Sequence, residues 1–158
     1  MAIQLTDAEI ISLLSEPKAL PSDYQSRLQL RAKTGHKERE LEITVVSGSE
    51  FQIIVRQSVF NPLDFSVILA VLVENSSRVF RLRRYNGKSH EHTNKIERET
   101  FYDFHIHTAT ERYQASGYDE DSFAVVTDLY SDFDGALDLL LLQNGFVRPP
   151  NPQLSLFS

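Results

Sequence analysis

Three segments in the first half of the chain alternate apolar and polar residues, and this alternation fixes most of what the chain can become. Residues 27–32 place Leu28 and Leu30 on one side and Arg27, Gln29 and Arg31 on the other. Residues 40–46 set Leu41, Ile43 and Val45 on one side, and Phe51, Ile53 and Val55 resume the period after Ser47-Gly48-Ser49. Side chains point to opposite faces at successive strand positions, so this pattern predicts half-buried strands joined by short turns. The polar run 33–37 contains Gly35 and reads as a turn, with His36 exposed at its tip. Asn61-Pro62 breaks the pattern. Residues 65–73 are almost all apolar, which suits a central strand covered on both faces.

Two helices frame this meander. Over residues 5–16, Thr6 and Glu9 have the spacing of a capping box, Leu5 can staple onto Ile10, and Pro17 ends the segment. Ile10, Leu13 and Leu14 then share a face. Over residues 131–144, Ser131 and Asp134 are placed to cap the start. Phe133, Ala136, Leu137, Leu140 and Leu141 make an inward stripe, and Gly145 closes the end. Residues 117–130 fit neither template. The expected fold is α+β: an N-terminal helix, a curved antiparallel sheet of about five to six strands and a C-terminal helix, in a single domain over 1–147.

Composition narrows the chemistry. The 158 residues contain no cysteine, which removes disulfides, thiolate metal sites and a cysteine nucleophile, and fits the reducing cytoplasm. No apolar run is long enough to span a bilayer, so no membrane partner is expected. The net charge of -6 argues against a generic nucleic-acid coat. That charge is unevenly spread: residues 78–98 carry seven basic groups, whereas 113–147 hold seven acidic and no basic ones. Such segregation serves a polyanion on one face, or lets the two segments neutralise each other.

The candidate site lies in residues 78–113, which contain four of the five histidines as His90/His92 and His105/His107. Read as a strand, 101–113 aligns Asp103, His105, His107 and Glu111 on one face. Read likewise, 78–85 aligns Arg81, Arg83 and Tyr85. If the faces coincide, they form one His/Arg/Tyr surface, with His90 and His92 in a loop above it. Metal-free acid/base cleavage of a phosphodiester would use His105 or His107 as base, the other as acid, and Arg81 and Arg83 as phosphate clamps. Tyr85, His90, His92 and Glu111 complete that set, and no cofactor is required. A second reading takes the His-x-His pairs as metal ligands; His90, His92 and Glu97 even match the core spacing of a cupin motif. A third makes the cluster structural, paired with the acidic segment.

The run Arg84-Tyr85-Asn86, His90-Glu91-His92, Phe101 and His105-Ile106-His107 resembles TumE-type toxins of bacterial toxin–antitoxin systems. The chain as a whole resembles a family of uncharacterised bacterial proteins sharing the FHIHTATERY-like core. The likeness implies a bacterial cytosolic protein acting on RNA or its processing, with an antitoxin partner. Its functional residues would be Tyr85, His90, His92, His105 and His107.

After residue 147 the character changes. Arg148-Pro149-Pro150-Asn151-Pro152 favours an extended linker, and Gln153-Leu154-Ser155-Leu156-Phe157 resembles the pentapeptide that binds the bacterial DNA sliding clamp. Leu154, Leu156 and Phe157 would enter an apolar groove with Gln153 at its rim. The tail thus implies a different function: a non-catalytic module recruited to the clamp.

Overall fold

The computed structural model describes residues 4–74 and 76–150. The chain runs α1 (Asp7–Ser15), β1 (Lys18–Ala19), α2 (Tyr24–Arg27), β2 (Arg31–Ala32), β3 (His36–Thr44), β4 (Glu50–Ser58), β5 (Phe65–Leu72) and β6 (Val79–Asn86). It continues through β7 (His92–Asn94), β8 (Glu99–Phe101), β9 (His105–Thr108), α3 (Glu111–Ala115), β10 (Ala124–Val126), α4 (Phe133–Gln143) and β11 (Phe146–Val147). Seven strands form one sheet in the order β10-β9-β6-β5-β4-β3-β2, every neighbouring pair antiparallel. The expected α+β layout is present, with a sheet slightly wider than anticipated. The hairpin β7–β8 stands outside the main sheet, and β1 pairs with β11 in parallel. No helix among the described residues is long and apolar enough to cross a membrane.

The alternation in the sequence becomes the core directly. Leu41, Phe51, Ile53, Val55, Val67 and Leu69 are fully buried, and Ala136, Leu140 and Leu141 of α4 pack over them. β5 is the middle strand, as its apolar run predicts. Its second face is only half covered, however, because Ser66 and Ile68 lie on the side away from the helices. Thr6 and Glu9 form the predicted capping box. Asp132, rather than Ser131, caps α4 by accepting from the Gly135 amide.

Two expected strands are corrected. Residues 27–32 do not form one strand: Tyr24–Arg27 is a turn of helix that buries Tyr24 and Leu28 at i and i+4, and only Arg31–Ala32 joins the sheet. Leu28 belongs to two patterns at once, i, i+2 with Leu30 as in a strand and i, i+4 with Tyr24 as in a helix, and the helical one is realised. Residues 101–113 are likewise broken, into β8, β9 and α3. His36 is half-buried at the start of β3, where its ring faces Glu38, rather than exposed at a tip.

Lys18 ties the helices to the sheet. Its ammonium is fully buried and donates to the carbonyl oxygens of Leu13, Leu14, Glu16 and Asn144 at 2.8–3.0 Å, over the Phe51 ring. It therefore neutralises the negative ends of α1 and α4 together, where each helix leaves carbonyls without intrahelical partners. Gly145 follows at φ 75°, and a Cβ there would come within 2.5 Å of the Glu16 carbonyl oxygen. Lys18→Met keeps the aliphatic stem but strands these carbonyls. It is expected to lower stability by about 3 kcal/mol in urea denaturation, and a change under ~0.5 kcal/mol would refute the role assigned to Lys18.

Arg148 and residues 149–150 leave α4 without regular structure, Arg148 pairing with Asp138. The clamp-like segment Gln153–Phe157 lies outside the described residues.

Candidate metal centre

The face that carries the histidines is set by strand register. β9 pairs with β6 so that His107 lies opposite Arg84, and His105 opposite Asn86. Adjacent side chains on paired strands share a face, so His105, His107, Arg84 and Asn86 point away from the helices. Ile106 and Tyr85 point toward them. β6 then slips by one residue: Leu69 faces Arg83 and Ala70 faces Arg81, leaving Leu82 without a cross-strand partner. A bulge of this kind reverses parity along the strand.

That slip separates the residues expected to act together. Tyr85 is fully buried on the helix side, donating to Gln143 Oε1 at 2.7 Å and accepting from Asn144 Nδ2. Arg83 is on the same side, bonded to Asn144 Oδ1 and Thr108 Oγ1. Both belong to the α4 C-terminal cap, across the sheet from the imidazoles. Arg81 is on the histidine face but is engaged by Asp119, Glu120 and Asp121. Glu111 opens α3, where its carboxylate accepts from the Asp7 amide, and takes no part in the cluster. The single His/Arg/Tyr surface is therefore not assembled.

What the fold does assemble is a knot of imidazoles. The hairpin β7–β8 folds over the outer face, bringing His92 to His105 and His107. Ring centroids are 5.3 Å apart for His92 and His105, 4.7 Å for His92 and His107, and 4.9 Å for His105 and His107. Phe101 walls the group, 5.4 Å from His92 and 5.5 Å from His105. His90 is exposed at the mouth, 6.5 Å from His105. Gly87 permits the hairpin's departure, since a Cβ there would sit 1.9 Å from the Leu63 carbonyl oxygen.

Hydrogen bonds decide which nitrogen of each neutral ring is free. His105 Nδ1 meets the Asp103 carbonyl at 2.7 Å, and His107 Nδ1 meets the Asp121 carbonyl at 2.7 Å. A carbonyl only accepts, so both Nδ1 atoms carry the proton and both Nε2 atoms keep a lone pair. His92 Nε2 lies 2.8 Å from Asn94 Oδ1. The orientation of that amide is fixed by the Ala124 backbone, whose carbonyl accepts from Asn94 Nδ2 and whose N–H donates to Asn94 Oδ1. His92 Nε2 is therefore a donor, and its Nδ1 is free. One ring nitrogen from each of the three histidines lies within 4.8 Å of the others. His105 Nε2 is buried and has no hydrogen-bond partner among the described residues.

Burial is the main reason these rings stay neutral. It pushes His105 down to about 4 and His107 to about 2, with the nearby Arg84 charge contributing to both. Neutral imidazoles with an anchored N–H on the far nitrogen are the form in which histidine binds transition metals. Tetrahedral coordination with 2.0–2.1 Å bonds sets its ligand atoms roughly 3.3 Å apart, so an ion would draw the widest pair inward.

Asn94, Arg84 and Asp121 were not singled out from the sequence. Asn94 did carry a signal, sitting two residues after His92 and so on the same face of any strand. Arg84 was hidden by the bulge. No local pattern marks Asp121.

In the metal-free protein, the depressed histidines predict acid sensitivity. Below pH 6.5 the unfolded chain takes up protons that the buried rings refuse, so stability is full above that point and falls as pH drops toward 4. The loss for His105 alone is on the order of 3 kcal/mol, readable as a falling urea midpoint. A flat profile from pH 7 to 4.5 would contradict the burial of these rings in solution.

No family model, curated protein or solved structure matches this chain.

Proposed function

We propose that the protein works through a divalent transition metal held by His92 Nδ1, His105 Nε2 and His107 Nε2. The observation that carries this reading is the convergence of the three histidines, one ring nitrogen of each within 4.8 Å of the others, with a hydrogen bond anchoring one nitrogen of every ring. Three imidazoles with no thiolate suit Zn²⁺, Co²⁺, Ni²⁺ or Cu²⁺ better than Mg²⁺ or Ca²⁺. Three protein ligands would leave a fourth position for a water or substrate oxygen, with the exposed His90 ring 6.5 Å from His105. An ion there would polarise that oxygen or lower the pKa of a bound water toward neutrality.

Metal-free general acid/base catalysis finds less support. A general acid must hold a proton at working pH, and His105 and His107 release theirs far below neutrality. Tyr85 and Arg83 are across the sheet. Action on RNA and an antitoxin partner stay proposals from the sequence likeness. Recruitment to the sliding clamp through Gln153, Leu154, Leu156 and Phe157 is an independent proposal. It concerns residues remote in sequence from the imidazoles, and a 1–148 truncation should bind metal as the full chain does.

Purified full-length protein, dialysed and then titrated with Zn²⁺, is expected to retain one ion per chain by elemental analysis. His105→Ala/His107→Ala is expected to retain none. Asn94→Ala should bind about 10- to 100-fold more weakly, because His92 loses the acceptor that fixes its tautomer. Equal metal content in the wild type and the double variant would overturn the proposal.

A further inference from the structure

Two guanidiniums and three carboxylates flank the imidazole face. Asp121, 1% exposed, sets Oδ1 3.3 Å from Arg81 and Oδ2 3.2 Å from Arg84. Arg81 has two further carboxylates, those of Glu120 and Asp119. Arg84 has a close ion pair with Asp121 alone among the described residues, while the Asp119 and Glu120 charges attract it from farther off. The Nε of Arg84 and the Oδ2 of Asp121 are both buried, and neither makes a well-directed hydrogen bond. The guanidinium is three-quarters covered and lies cross-strand from His107, on the metal-binding face. Asp119, Glu120 and Asp121 outnumber Arg81 and Arg84 by one negative charge, and a divalent ion on the three rings would turn that balance to one positive charge.

We infer that the centre takes a phosphate-type oxyanion, one oxygen on the metal and another on the Arg84 guanidinium, and that the substrate class is a phosphate ester. This rests on the metal reading above and adds the ligand's chemistry to it. A guanidinium presents parallel N–H donors that match oxyanion geometry, and such charge-assisted bonds are the strong ones. A tetrahedral phosphate offers several oxygens, so one can stay on the metal while others turn to Arg84; a carboxylate has only two. The role differs from the one expected for Arg81 and Arg83. Arg81 is already neutralised, and Arg83 faces the helices.

The test uses full-length protein loaded with Co²⁺, whose visible spectrum reports ligands at the ion. Inorganic phosphate is titrated into the wild type and into Arg84→Lys, Arg83→Lys and Asp121→Asn, with acetate as the comparison anion. Phosphate is expected to shift the wild-type spectrum saturably at concentrations where acetate does not. Arg84→Lys should weaken that response about tenfold or more, the loss of one charged hydrogen-bonded contact. Arg83→Lys should leave it unchanged. Asp121→Asn, which removes the competing carboxylate while keeping the backbone carbonyl that holds His107, should tighten it. A normal cobalt spectrum that phosphate leaves untouched, that acetate shifts equally, or whose phosphate response survives Arg84→Lys would overturn the oxyanion inference while the metal centre stands. No imidazole-bound cobalt spectrum at all would overturn both.

Discussion

The side chain of Asn94 joins the fold to the site. Its amide is fully buried and binds both the N–H and the C=O of Ala124, in the way a neighbouring strand would. β10 is the last strand of the seven-stranded sheet, where outward backbone groups otherwise lack partners. One side chain thus closes part of the sheet edge, seats the β7–β8 hairpin against it and accepts the proton of His92 Nε2. Without this contact His92 has no fixed tautomer and no reason to face His105 and His107. Tyr113 holds the same hairpin from the other end, donating to Glu97 and accepting from the Ile96 amide. The geometry of the three imidazoles is therefore a consequence of how a sheet edge is finished.

Charge plays two distinct parts in this chain. On the helix side, Lys18 is a buried cation surrounded by carbonyl oxygens, and its work is to gather two helix ends. On the histidine side, Arg81 and Arg84 of β6 meet the acidic segment 119–121, so part of the segregation visible in the sequence is mutual neutralisation. Arg81 is absorbed in that exchange. Arg84 shares the buried Asp121 carboxylate with Arg81, and its Nε makes no well-directed hydrogen bond. Burial also pushes the Asp121 carboxyl up, with Arg84 and Arg81 pulling it back. A buried guanidinium Nε without a directed partner, beside three clustered imidazoles, separates this surface from an ordinary solvated patch.

Much of the fold was legible because hydrophobic period and turn chemistry agree locally. Leu41 to Val45, Phe51 to Val55 and the run from Phe65 specify three adjacent strands, and the Thr6–Glu9 box specifies where α1 starts. The failures have physical causes. Leu28 pairs with Leu30 in strand period and with Tyr24 in helix period, and so short a stretch does not choose between them. The slip at Leu82 transfers Arg83 and Tyr85 to the wrong face, and nothing in Arg81-Leu82-Arg83 marks a bulge. The two His-x-His pairs could be seen to be candidates, but only the hairpin shows that His92 converges with His105 and His107 while His90 stays at the mouth. Glu111 was misplaced because Thr110 caps a helix where the strand was expected to continue.

The resulting picture is a sheet with a structural face and a chemical face. The first is packed by α1 and α4; the second is covered by one hairpin and lined with three imidazoles, a wall of Phe101 and the Arg84 guanidinium. The most direct test of that picture is X-ray absorption at the zinc edge of the loaded full-length protein. Three imidazole nitrogens at about 2.0–2.1 Å, with one oxygen ligand completing the shell, is the predicted result. A shell of oxygens with one imidazole or none would show that the histidines do not converge on an ion, and would contradict the account.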